Sequence, residues 1–173
     1  RSETASLGNG ALVALTLACL ALPVPAVAST ILLAKAGGVS GESRIIERGR
    51  YLVMVGGCND CHTAGFLPSG GRTPEQDRLT GSDLGWRGPW GTTYPVNLRL
   101  FFQDITEQQW IALARERQPR PPMPYFALNA MSTSDARALY RYIRYLGPAG
   151  APAPKFVPPD QEPRQPYVMF PAQ

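Results

Sequence analysis

The chain has 173 residues, enough for one domain with appendages, and 44% of them are hydrophobic, so a packed core is within reach. Pro (18) and Gly (17) are both abundant, which argues for long loops between few regular elements. The formal charge of +4 suits an acidic partner surface or an anionic membrane and is too small for a nucleic-acid footprint; three cysteines are too few for a disulfide framework.

Residues 1–28 read as a secretory signal peptide. Ala11 to Leu22 is an apolar run, Pro23 breaks it, and Ala26-Val27-Ala28 supplies a small-residue cleavage pattern. The run is shorter than the roughly 20 apolar residues of a membrane-spanning helix. Ile31 to Ala34 prolong it, so an uncleaved N-terminal anchor stands as the second reading. Cys19 is a poor acylation site, because Thr16 stands where that motif wants leucine. On either reading the rest of the chain is exported, and a periplasmic location is expected. Residues 29–42 form a linker.

From Ser43 to about Val55 the pattern predicts a helix. Ile45, Gly49 and Leu52 share one face, with Ile46 and Val53 beside it. A glycine inside a helix costs about 1 kcal/mol against alanine, so Gly49 points to a close neighbour. Gly56-Gly57 ends the helix.

Cys58-Asn59-Asp60-Cys61-His62 follows. Cys-x-x-Cys-His is the attachment signature of c-type haem. The two thiols add across the two vinyl groups of the porphyrin, and the next residue offers its imidazole to iron. Three rival readings exist. A redox dithiol wants a βαβ setting, which the pattern lacks. Zinc wants four ligands, and there is no second cysteine pair and no second histidine. A structural disulfide is the third. His62 is the only histidine, so bis-histidine ligation within the chain is excluded.

Residues 63–104 are punctuated by Gly and Pro and predict no long element. So long an irregular stretch is unusual in a compact domain. A large rigid cofactor resolves this, with Trp86, Trp90, Tyr94, Phe101 and Phe102 available to pack on it. A second helix is expected from Thr106 to about Arg117, opened by a Thr106–Gln109 capping box and an Ile105–Trp110 staple. Prolines hold residues 118–126 extended and forbid helix there. A third helix is expected from Ser132–Ser134 to Gly147, with Ala136, Leu139, Tyr140, Ile143 and Leu146 as its apolar stripe. Residues 148–173 are a proline-rich tail that wraps on the domain, docks on a partner or stays mobile.

Four methionines compete to be a sixth iron ligand. Met54 reads as core of the first helix, and Met169 lies in the tail. Met123 sits in the stiff proline-flanked segment, and Met131 directly precedes the third helix. Met123 is the first candidate and Met131 the second; Met/His ligation marks electron-transfer cytochromes. Either methionine can instead be a buried gap-filler.

With these residues in view, the chain resembles class I cytochromes c. It is most similar to the haem domains in cytochrome subunits of periplasmic alcohol, gluconate and related dehydrogenases. The matching pieces are Gly49-Arg50-Tyr51-Leu52, the attachment motif, Gly91-Thr92-Thr93-Tyr94-Pro95-Val96-Asn97, Met123-Pro124-Tyr125, and Ala138 to Leu146. They cover residues 43–147, the expected cytochrome domain. The resemblance implies an all-α fold of short helices and long loops around one covalent haem. It implies Met123 as the distal ligand, Trp90 and Asn97 near the propionates, and Gly49 and Tyr51 meeting Leu139 and Tyr142. It implies electron transfer to or from a dehydrogenase or oxidase subunit, with membrane association through the N-terminus or a membrane complex. Two features depart from the family: it usually carries several haem domains per subunit, and it has no counterpart of the tail. The rival functions are a haem sensor or small-molecule haem enzyme with a displaceable sixth ligand, and a docking subunit whose tail is its main asset.

Overall fold

Ser40 caps the first helix, its hydroxyl accepting a hydrogen bond from the Ser43 N–H, so α1 runs Gly41–Val55 and starts ahead of the expected Ser43. The computed structural model describes residues 40–171. The expected signal peptide or anchor (1–28), Cys19 and residues 29–39 of the linker lie outside the described residues. The described residues fall in one unit, 38–173. In chain order the further elements are α2 (Cys58–His62), a 3-10 turn (Glu75–Asp77), β1 (Gly85–Gly88), β2 (Gly91–Thr93), α3 (Leu98–Phe101), α4 (Glu107–Glu116), α5 (Tyr125–Asn129), α6 (Thr133–Leu146) and β3 (Tyr167–Met169).

The core lies where α1, α4 and α6 meet. Leu52 and Val53 come from α1, Trp110 and Ala114 from α4, and Leu139, Tyr142 and Ile143 from α6, with Leu79 and Phe102 filling between them. Each large aliphatic side chain buried this way contributes roughly 1.5–3 kcal/mol. The close neighbour that Gly49 implied is α6. A Cβ on Gly49 would lie 2.1 Å from the Ala138 carbonyl oxygen and 2.5 Å from Tyr142 Cβ. Tyr51, expected in the same crossing, is instead 54% exposed, with the Arg48 guanidinium over its ring. Met54, read as core, is exposed as well.

The capping box of α4 is complete. Thr106 Oγ1 accepts from the Gln109 N–H at 3.2 Å, and Gln109 Oε1 accepts from the Thr106 N–H at 2.8 Å. On α6 the buried face is wider than the expected stripe and includes Ala138 and Tyr142, because α1 crosses there. On its exposed side Arg137 and Arg141 both reach the Glu107 carboxylate at 2.7 Å. The C-terminal carbonyls of α6 have a less obvious partner. Arg99 of α3 is 4% exposed, and its guanidinium donates to the carbonyls of Leu146, Gly147 and Gln76. Burial lowers its pKa from the usual arginine value.

Tyr142 is 1% exposed and donates its hydroxyl to Glu75 Oε1 at 2.8 Å, which also accepts from Arg50 Nε at 2.6 Å. The bond ties the loop after α2 to the α1–α6 crossing. Tyr142→Phe keeps the ring and removes one hydrogen bond, while Arg50 still serves the carboxylate. We expect a loss of about 1 kcal/mol, read from the urea midpoint at unchanged slope.

The all-α expectation needs correction. Among the described residues there is a three-stranded sheet of order β2-β1-β3. β1 and β2 form a hairpin closed by Pro89-Trp90, with Trp86 opposite Thr93 and Gly88 opposite Gly91. β3 adds in parallel, Gly85 opposite Tyr167 and Arg87 opposite Met169. Residues 63–104 are therefore less irregular than expected: strands this short show no period of their own and are completed by a partner far along the chain. The proline segment also differs. It is non-helical only to Pro124, and α5 begins at Tyr125, because a proline restricts the residue before it and not the one after. The tail wraps on the domain. Among the described residues no helix is long and apolar enough to cross a membrane.

Candidate haem-attachment site

Gly57 makes the site's geometry possible. Its φ of +65° turns the chain sharply between α1 and α2, a left-handed conformation that a side chain disfavours. In the short helix α2, Cys58, Cys61 and His62 stand at i, i+3 and i+4, which places all three on one face. The helix is fastened from behind. Asn59 and Thr63 are buried; Thr63 Oγ1 donates to Asn59 Oδ1 at 2.9 Å and accepts the Leu79 N–H at 2.9 Å. The His62 carbonyl accepts the Gly81 N–H at 2.8 Å. Nothing in the local sequence pattern marked Asn59 and Thr63 for this role.

His62 is 8% exposed, and its Nδ1 lies 2.8 Å from the Val96 carbonyl oxygen. A carbonyl can only accept, so Nδ1 carries the hydrogen and Nε2 keeps its lone pair free. Such a backbone hydrogen bond orients metal-binding histidines. Burial lowers the His62 pKa against the smaller opposing effect of that bond, so the ring is held neutral, the form that ligates metals. Cys58 and Cys61 form no disulfide with each other. Burial pushes the Cys58 thiol up to about 11 and raises Cys61 as well, with the Asp60 charge adding to both. A redox dithiol needs the opposite, a depressed thiol pKa. Among the described residues no group of three or more His, Cys, Asp or Glu side chains is placed to hold a metal ion.

The remaining expected residues separate clearly. Asn97 is buried directly after Val96. Its Oδ1 accepts from the Leu100 N–H, and its amide hydrogens go to the carbonyls of Ala149 and Ala151. It therefore has no side-chain donor left for a carboxylate. The Trp90 ring folds back over Gly88, and its Nε1 is buried without a partner. Trp86 Nε1 and Thr93 Oγ1, on the same hairpin, are also buried and unpartnered. Three orphaned donors within one hairpin are costly unless a ligand takes them up. They fit an anionic group such as a haem propionate, and Trp86 and Thr93 were not singled out from sequence as such donors.

Of the methionines, Met131 packs against the core cluster as a gap-filler, while Met54 and Met169 are exposed. Met123 is half-buried and outside that cluster, its carbonyl accepting the Tyr125 N–H at 2.8 Å.

No family model matches the chain, and no solved structure matches it. Two curated proteins do. The fructose dehydrogenase cytochrome subunit of Gluconobacter japonicus is 28% identical over 121 residues, which is 64% of this chain and 23% of that protein. A nicotinate dehydrogenase subunit from Pseudomonas putida is 27% identical over 125 residues, 66% of this chain and 10% of that protein. The chain is a distant relative of dehydrogenase subunits. One of the two is named a cytochrome subunit, which agrees with the attachment motif. The chain spans about a quarter of the length of the first relative and a tenth of the second.

Proposed function

We propose that this chain carries single electrons in the periplasm, as a free carrier or as a component of a dehydrogenase complex, on one covalently bound c-type haem. The observation that carries the reading is the one-sided arrangement on α2. Two thiols stand beside a buried, neutral imidazole whose Nε2 is left free by the Val96 bond. When bound, the haem supplies a one-electron ferric/ferrous couple. The chain's own groups do the rest. Cys58 and Cys61 hold it by thioethers, so it stays attached even where the site is open to water. His62 would be one ligand to its iron. Met123 would supply a thioether as the other, favouring the ferrous state and raising the potential. The Trp86 and Trp90 N–H groups and the Thr93 hydroxyl would receive the propionates. A chain that supplied both ligands would leave no place for a substrate on the iron, which separates a carrier from a sensor or a haem enzyme. The names of the two relatives support a dehydrogenase as redox partner.

The test is the intact mass and spectrum of the chain made in a host competent for cytochrome maturation. A mass without added porphyrin sinks the reading. Met123→Ala should then lower the midpoint potential by on the order of 0.1–0.3 V, a fraction of the ~0.8 V span that axial ligands command. The reduced variant should bind carbon monoxide readily while the parent resists it. An unchanged potential would move the ligand to Met131, and ready binding by the parent would favour the sensor or enzyme reading.

A further inference from the structure

The tail makes its contacts on the hairpin and on Asn97, which directly follows the Val96 that holds His62. Ala149 and Ala151 accept the Asn97 amide hydrogens at 2.8 and 3.1 Å. Val157 exchanges two backbone hydrogen bonds with Thr92, at 2.7 and 3.0 Å. Phe170 lies against Trp86 and Trp90, ring centroids 5.8 and 5.5 Å away. Phe156 does something different. One side of its ring packs on Gly91, where a Cβ would come within 2.8 Å of it, and the Arg120 guanidinium sits 4.0 Å from its centroid. A single ring therefore joins the hairpin to the segment that holds Met123.

That segment is tied at its α5 end, where the Met123 carbonyl accepts the Tyr125 N–H at 2.8 Å and Asn129 Nδ2 donates to the Ala114 carbonyl at 2.8 Å, and has few fixings ahead of it. Pro119, Pro121, Pro122 and Pro124 have no amide hydrogen to give. The Met123 N–H makes only a long 3.4 Å bond, to the Arg120 carbonyl three residues away, and Asn129 Nδ2 reaches the Arg117 carbonyl at the same distance. Prolines stiffen the segment along its own length but do not fix where it lies. A cation–π contact at 4.0 Å does, and it acts just ahead of the methionine.

We propose that Phe156 is a positioning residue for the sixth ligand: through Arg120 the tail holds residues 118–124 so that the Met123 thioether stays on the haem iron. The proposal rests on the His/Met reading above. A thioether is a weak ligand, and a weak ligand stays bound only if its segment is held in place beforehand. The tail would then be part of the redox site and not a free docking arm.

The test uses the haem-loaded protein with Phe156→Leu, Phe156→Tyr and Arg120→Ala. Three readouts are compared with the parent: the thioether-to-ferric-iron charge-transfer band, the rate at which the reduced protein binds carbon monoxide, and tryptic cleavage after Arg117. Phe156→Leu and Arg120→Ala should each weaken the band and speed carbon monoxide binding and cleavage about two- to fivefold, with attached haem unchanged. Phe156→Tyr keeps an aromatic face and should restore parent behaviour. Arg120 is exposed, so its replacement tests the contact even if Phe156→Leu folds poorly. Variants that keep the band and the parent's slow rates would overturn the proposal, as would faster cleavage with an unaltered band. A haem-loaded parent lacking the band would instead sink the His/Met reading.

Discussion

A chain with both Cys58→Ala and Cys61→Ala is expected to mature without attached haem while keeping most of its helix. The first half follows from α2: the two thiols are the only groups there that can form thioethers, and His62 alone offers one coordinate bond. The second half follows from where the core lies. The buried cluster among the described residues is built on α1, α4 and α6 and includes no residue of the β1–β2 hairpin. Loss of the cofactor should therefore spare the helical signal and loosen the hairpin, where Trp86 and Trp90 carry unpartnered N–H groups. Intact mass should fall to that of the polypeptide, with no visible absorption, while far-ultraviolet circular dichroism changes little. Each single replacement should leave one thioether and one unsaturated vinyl group, and with it a red-shifted spectrum. Haem still covalently bound to the double variant would rule out these thiols as the anchors.

The second large effect is expected at Gly49→Ala. Alanine is favoured over glycine in a helix by about 1 kcal/mol, and on propensity alone the change would stabilise. The crossing decides otherwise. The added Cβ would stand 2.1 Å from the Ala138 carbonyl oxygen and 2.5 Å from Tyr142 Cβ. The first of these is backbone, so no rotamer relieves it, and α1 and α6 must separate. Overpacking of this kind costs about 1–3 kcal/mol and more where backbone must move. We expect a net loss of about 3 kcal/mol or failure to fold, against a neutral or slightly favourable effect for Gly41→Ala, where nothing lies within 4 Å. Urea midpoints of the two variants check both statements. Equal midpoints would show that the helices do not cross at Gly49.

The Cys-x-x-Cys-His spacing and the capping box of α4 were legible because their determinants are local. Thr106 and Gln109 are three apart, and so are Cys58 and Cys61; each pair states its geometry without reference to the rest of the chain. Gly49 was legible in a weaker sense, as a residue with no local reason to be there. The sheet was not legible. β1 and β2 are short and interrupted by glycine and proline, and the third strand comes from a tail with no period. The side chains that settle the site's electrostatics escaped notice for the same reason. The Val96 carbonyl on His62 Nδ1 is a backbone atom that no residue type announces, and Asn97, read as a cofactor neighbour, gives its amide hydrogens to Ala149 and Ala151. Among the methionines, packing separated what spacing did not: Met131 and Met123 are both half-buried, but only Met131 lies against the core cluster.

The parallel ladder between β1 and β3 bears on the order in which the molecule is assembled. Pairing two distant stretches is slow, since the loop between them must close before any bond rewards it. During synthesis the helix bearing the thiols precedes β3 by roughly 100 residues, a lead of about 5–20 s at ordinary elongation rates. Throughout that interval the tryptophan hairpin lacks its third strand and its Phe170 cover. The hairpin is thus the part of the domain that closes late, and β3 with Phe170 acts as its latch.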